Sequence, residues 1–85
     1  MIAQTSLMAF RSLSEDSLNR MEKRVFEAIK RLYNPNNKEV AEFLGWSINR
    51  VTGRVNSLYK KGIIRLDGFK HDKDTGRLTK SWKVN

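Results

Sequence analysis

Between Ser47 and Gly62 the chain reads Ser-Ile-Asn-Arg-Val-Thr-Gly-Arg-Val-Asn-Ser-Leu-Tyr-Lys-Lys-Gly, and several of these residue types suit the reading of a nucleic-acid duplex. Arginine can donate to both acceptors of guanine, and asparagine can both donate to and accept from adenine. Ile48, Val51, Val55 and Leu58 recur at helical spacing and define a buried stripe. At about 100° per residue, the opposite face carries Asn49, Arg50, Gly53, Asn56, Ser57 and Lys60. Base contacts are therefore expected from Asn49, Arg50, Gly53 and Ser57. A glycine in mid-helix costs roughly 1 kcal/mol relative to alanine. The expected return at Gly53 is closer approach of the helix axis to base edges, and the plainer alternative is that Gly53 accommodates a neighbouring loop. Contacts to the sugar-phosphate backbone are expected from Ser47, Arg54, Asn56, Lys60, Lys61 and Arg65, and from Lys70, His71, Lys73, Arg77 and Lys80 further on.

Other chemistries find little to stand on. The chain has no cysteine and one histidine, His71, so no thiolate or histidine cluster can be built. Asp72-x-Asp74-x-Gly76 begins like a calcium loop, but the third acidic position is missing and Lys83 stands where a closing glutamate belongs. No glycine-rich phosphate loop, nucleophile elbow or paired carboxylate and histidine arrangement occurs. A non-enzymatic protein is expected, with no metal, no cofactor and no small-molecule ligand.

The elements that must position these residues follow from period and punctuation. Ser12 or Ser14 is expected to cap a first helix, with Glu15 and Asp16 in its first turn. Its stripe is Leu18, Met21, Val25, Ile29 and Leu32, widened by Phe26 and Ala28. Asn34-Pro35-Asn36-Asn37 stops it, because proline disfavours helix at the preceding residue, and Asn36 or Asn37 caps the next. Val40, Ala41 and Leu44 then predict a short helix closed by a left-handed Gly45. Ser47 caps the third helix, spanning 47–61. Beyond Gly62 the period changes to two: Ile63 to Lys70 and Arg77 to Val84 predict a β-hairpin over 63–84, with a bulge at Gly68 and a turn at Asp72 to Gly76. Leu78, Lys80, Trp82 and Val84 share one face, Arg77, Thr79, Ser81 and Lys83 the other. Trp82 and Val84 belong to the core more firmly than Leu78. Met1 to Leu13 stays open as a tail, a short surface helix or a dimer contact, through Leu7, Met8 and Phe10.

At 85 residues one small domain with a modest core is expected. The net charge of +8 is unevenly spread. Met1 to Trp46 holds seven bases against six acids, whereas Ser47 to Asn85 holds ten against three. Positive charge concentrated in the third helix and hairpin is the distribution of a polyanion-binding face. No apolar run approaches the roughly 18 residues of a membrane span, and Met1 to Leu13 lacks the pattern of a secretory signal. A cytoplasmic protein is expected.

Three helices and a hairpin, with Asn37-Lys-Glu-Val-Ala-Glu-Phe-Leu-Gly, Ile48-Asn-Arg-Val-Thr-Gly-Arg-Val-Asn-Ser-Leu and Thr75-Gly-Arg before Trp82, resemble the winged helix-turn-helix superfamily over Ser14 to Val84. More narrowly they resemble small winged-helix proteins of bacteriophages and prophages. The resemblance implies a mainly α fold with a β-hairpin (α+β), a recognition helix over 47–61, and a wing over 63–84. It implies binding of double-stranded DNA by a transcriptional regulator or a replication or recombination factor, in the bacterial host cytoplasm if phage-derived. Arg54 departs from it, standing where many such sequences are apolar. The competing expectation is a protein-protein interaction module on the same scaffold, which calls for a neutral or apolar third-helix face. A homodimer through Met1 to Leu32 stands as a further open expectation.

Overall fold

The computed structural model describes residues 18–85, which form three helices followed by a two-stranded antiparallel hairpin. These are α1 (Arg20–Arg31), α2 (Asn37–Leu44), α3 (Ile48–Lys60), β1 (Ile64–His71) and β2 (Leu78–Val84). The expectations for Met1 to Leu13 fall outside the described residues.

Helix α1 corrects one expectation. It begins at Arg20 rather than near Ser14, because Asn19 and Glu22 form a reciprocal capping box. The Glu22 amide donates to Asn19 Oδ1 at 2.8 Å, and the Asn19 amide donates to Glu22 Oε1 at 3.1 Å. Two amides that a helix start would leave without partners are thereby satisfied. The same device opens α2, where Asn36 and Glu39 bond at 2.8 and 3.0 Å. Gly45 ends α2 with φ 72° and ψ 30°, a left-handed conformation that glycine adopts without penalty. Two residues later the Ser47 hydroxyl accepts from the Arg50 amide at 3.3 Å and starts α3.

Val25, Val40, Val51, Val55 and Leu58 are fully buried and hold the three helices together, with Phe26, Ile29, Ile63, Ile64 and Trp82 around them. Each fully buried aliphatic side chain contributes roughly 1.5–3 kcal/mol relative to exposure. Ile48, expected in this stripe, is 45% exposed, because it lies at the edge of the stripe and lines the open cleft between α3 and the hairpin.

The hairpin pairs Ile64 with Val84 and Leu66 with Trp82, then skips Asp67 so that Gly68 faces Ser81. The bulge thus lies at Asp67-Gly68, as the spacing predicts. Strand β2 is fastened at its base. The Trp82 amide donates to Pro35 O at 2.9 Å, its indole Nε1 donates to Asn37 Oδ1 at 2.8 Å, and its ring packs on Tyr59 with centroids 5.5 Å apart. Ser81 and Thr79, assigned from alternation to an outer face, are buried and half-buried respectively, because β2 also packs against α1 and the α1–α2 connection. The Thr79 hydroxyl accepts from Asn36 Nδ2 at 3.0 Å and donates to Lys70 O at 2.8 Å. Leu78, near the tip, is exposed.

Candidate functional site

Because Val51, Val55 and Leu58 point into the core, helical geometry turns Asn49, Gly53, Asn56 and Lys60 outward, and all four are exposed. The side chains of Asn49, Asn56 and Lys60 make no hydrogen bond among the described residues. Among the described residues a Cβ built on Gly53 would meet nothing within 4 Å. No described loop therefore supports the loop-accommodation explanation for this glycine, and among the described residues its absent side chain leaves open space on the outward line of the helix.

The two flanks of α3 differ. On one flank, Ile48, Thr52, Asn56 and Tyr59 form a wall of a cleft of about 720 Å³, whose other walls are Asn36, Asn37 and Lys38 at the start of α2 and Leu66, Arg77, Lys80 and Trp82 of the hairpin. Asn37 Nδ2 donates to Thr52 Oγ1 at 3.2 Å, so the cleft's floor is fixed by the same asparagine that accepts from Trp82. On the other flank, facing α1, several expected DNA contacts are held by internal partners. Ser57 donates its hydroxyl to Glu22 Oε2. Lys61 Nζ lies 3.1 Å from Glu22 Oε1. Arg54 lies along α1 with its Nη2 3.5 Å from Met21 Sδ. The Arg50 guanidinium sits 5.4 Å from the Trp46 ring centroid, at the margin of the outward face. Ser57 and Lys61 are thus redirected by a carboxylate that sequence spacing does not bring near them.

The wing residues divide likewise. His71, Lys73, Arg77 and Lys80 are exposed around the hairpin tip. Lys70 instead bonds Glu39 Oε1 at 2.8 Å and Asn34 O at 3.2 Å. Lys38 of α2 bonds both Asp72 and Asp74. Three lysine–carboxylate pairs, made by two lysines, therefore tie the wing to α2. The Asp72 carboxylate also accepts from the Thr75 amide at 3.0 Å and hydroxyl at 2.9 Å, closing the turn. Arg65 pairs across the hairpin with Lys83, on the sheet face away from Leu66 and Trp82, and so lies off the cleft.

These contacts leave electrostatic signatures. Burial pushes the Glu22 carboxyl up, but the hydrogen bonds from Ser57, the Asn19 amide and Lys61 outweigh it and hold it below its ordinary value. Burial of Glu39 is likewise outweighed by Lys70 and the Asn36 amide. Asp72 is lowered by the Thr75 hydroxyl and amide, and Lys38 is raised by its bond to Asp74.

Sequence reasoning passed over Trp46, Tyr59, Asn37 and Arg24, whose guanidinium lies 5.9 Å from the Trp46 centroid. Arg50 and Arg54 stand one turn apart on α3, a visible signal for one ridge, whereas Trp46 precedes the helix in the turn and meets Arg50 only through the fold. Arg24 arrives only through the packing of α1. No group of three or more His, Asp or Glu residues suited to a metal ion occurs among the described residues, and no described helix is long and apolar enough to cross a membrane.

A family model described as winged helix-turn-helix DNA-binding matches residues 18–65, from Leu18 through all three helices and into β1. No curated protein and no solved structure matches the chain.

Proposed function

As this chain belongs to the winged helix-turn-helix DNA-binding family, we propose that it binds double-stranded DNA with α3 in the major groove, Asn49, Gly53 and Asn56 toward the bases and Lys60 at the backbone. The wing cations His71, Lys73, Arg77 and Lys80 lie along the backbone or in the adjacent minor groove. The observation that carries this reading is the outward face of α3. It is polar and exposed and, among the described residues, free of internal hydrogen bonds, with open space at Gly53. A protein-contact module with an occluded third helix would instead need an apolar face there. The biological role in keeping with the residues of Asn37 to Leu58 is that of a small regulator of phage or prophage type, or an accessory factor in replication or recombination. One reading helix offers few base contacts, so modest specificity is expected.

Selection of bound duplexes from a random pool is the direct test. An enriched motif is expected, and Asn49→Ala or Asn56→Ala should relax it at one position each; a pool with no enrichment over input would overturn the base-reading assignment. Salt supplies a second measurement. If about five to seven cations touch phosphates, log affinity should fall with log salt at a slope of roughly −4 to −6. A flat dependence between low and physiological salt would remove the backbone contacts.

A further inference from the structure

Trp46 lies in the turn between α2 and α3, half-buried, and gathers two guanidinium groups. Arg50 Cζ is 5.4 Å and Arg24 Cζ 5.9 Å from its ring centroid. Arg54, one turn further along α3, contacts Met21 Sδ, and its buried Nε has no hydrogen-bond partner among the described residues. The ion pairs among the described residues join Lys38, Lys61 and Lys70 to Asp72, Asp74, Glu22 and Glu39, and none reaches these three arginines. Four of the described carboxylates, Glu22, Glu39, Asp72 and Asp74, are thus paired with lysines, while an indole gathers Arg24 and Arg50 and a thioether holds Arg54 one turn further along α3. Like charges so placed repel one another, the more so where protein displaces water, and an anion relieves the repulsion. Stacking occupies the face of a guanidinium and leaves its in-plane N–H donors available for a fork to phosphate.

We propose that Arg24 and Arg50, held on Trp46 and reinforced by Arg54, form a clamp for backbone phosphates of the DNA strand bordering α3 on the side away from the wing. The proposal rests on the DNA-binding reading above. Arg54 marks the flank of α3 turned toward α1, whereas Thr52, Asn56 and Tyr59 mark the flank turned toward the wing. The helix is then straddled, with wing cations on one strand and the arginine clamp on the other. Trp46 is a positioning residue: it limits the rotamers of Arg50 in the free protein, so less freedom is lost on binding.

The test compares the full chain with Arg24→Gln, Arg50→Gln, Trp46→Leu and Trp46→Phe, by titration of a labelled mixed-sequence duplex and of the selected one. Each arginine variant should weaken both duplexes alike by about tenfold, with the magnitude of the salt slope falling by about 0.9. Trp46→Leu keeps every charge, so affinity should fall severalfold while the slope stays unchanged, and Trp46→Phe should recover most of the loss. Thermal melting separates these effects from misfolding, and if Trp46→Leu does not fold, the two arginine variants decide. Wild-type affinity in Arg24→Gln overturns the clamp. So does an Arg50→Gln variant that changes base preference at one position instead of weakening all sequences alike. A wild-type chain that binds no duplex overturns the DNA-binding reading itself and the clamp with it, and is told apart by the absence of any binding to compare.

Discussion

Replacing Gly53 with alanine is expected to stabilise the fold and weaken DNA binding at the same time. The stability side follows from local physics. Gly53 sits within α3, has no neighbour within 4 Å of a Cβ among the described residues, and does not adopt positive φ. Alanine therefore recovers helix propensity of about 1 kcal/mol without steric cost, which for a domain of this size raises the melting temperature by roughly 4–8 °C. The binding side follows from position. Gly53 is central on the outward face between Asn49 and Asn56, so a methyl group there would hold the helix axis back from the base edges. Gly53→Leu extends the same argument, with helix propensity kept near that of alanine and affinity falling by at least about tenfold, equivalent to 1.4 kcal/mol. Calorimetric melting and duplex titration of both variants provide the check. If both raise the melting temperature and bind DNA like the parent chain, α3 does not approach DNA through this face.

The largest expected loss of stability away from the hydrophobic core is at Glu22. Glu22 is 4% exposed, and its carboxylate serves three partners: the Asn19 amide, the Ser57 hydroxyl and the Lys61 ammonium. Glu22→Ala removes the acceptor for all three and half of the capping box. Loss of one partner of a buried pair costs about 3–5 kcal/mol. Lys61 remains partly solvated and can turn to water, so a loss nearer 2–3 kcal/mol is expected here. That corresponds to a fall in melting temperature on the order of 10 °C or more. Glu22→Gln should cost less, because its amide oxygen still accepts.

The acid response follows from the same carboxyl. The folded state holds Glu22 below the ordinary value of 4.5, so below that pH the unfolded chain binds more protons than the folded one. Its contribution is fully present above 4.5 and is lost as pH falls through the lower, folded value. Glu39 and Asp72 are lowered as well and act in the same direction. Urea midpoints measured from pH 7 down to pH 3 should therefore fall for the parent chain and fall less steeply for Glu22→Gln, with Glu39 and Asp72 supplying the remainder. Parallel curves for the two proteins would mean that Glu22 does not titrate differently on folding.

Much of the fold was legible because its signals are local. Gly45 and Ser47 act within three or four residues along the chain, and the change of hydrophobic period after Gly62 needs no knowledge of neighbours. The bulge at Asp67-Gly68 was equally readable from a glycine inside an alternating run. One local signal was overlooked: Asn19-x-x-Glu22 has the same cap spacing as Asn36-x-x-Glu39, and it moved the start of α1 from the Ser12 to Ser14 region to Arg20. Ile48 departs from the expected stripe because helical spacing says which residues share a face but not whether another element covers its edge, which here opens onto the cleft beside the hairpin.

The residue types of α3 and the charge excess after Trp46 are properties of the sequence by itself, and with Val51, Val55 and Leu58 they determine which side of that helix faces out. Which cations remain available there was decided only by tertiary structure. Lys61 and Ser57 are drawn to Glu22, Lys70 to Glu39 and Lys38 to the wing, each across more than thirty positions of sequence. Arg24 reaches Trp46 because α1 packs beside the turn. The physical reason is range. Caps and periodicity act over one turn of chain, whereas a charge is claimed by whichever opposite charge or aromatic face the fold places within a few ångströms, and no spacing rule records that distance.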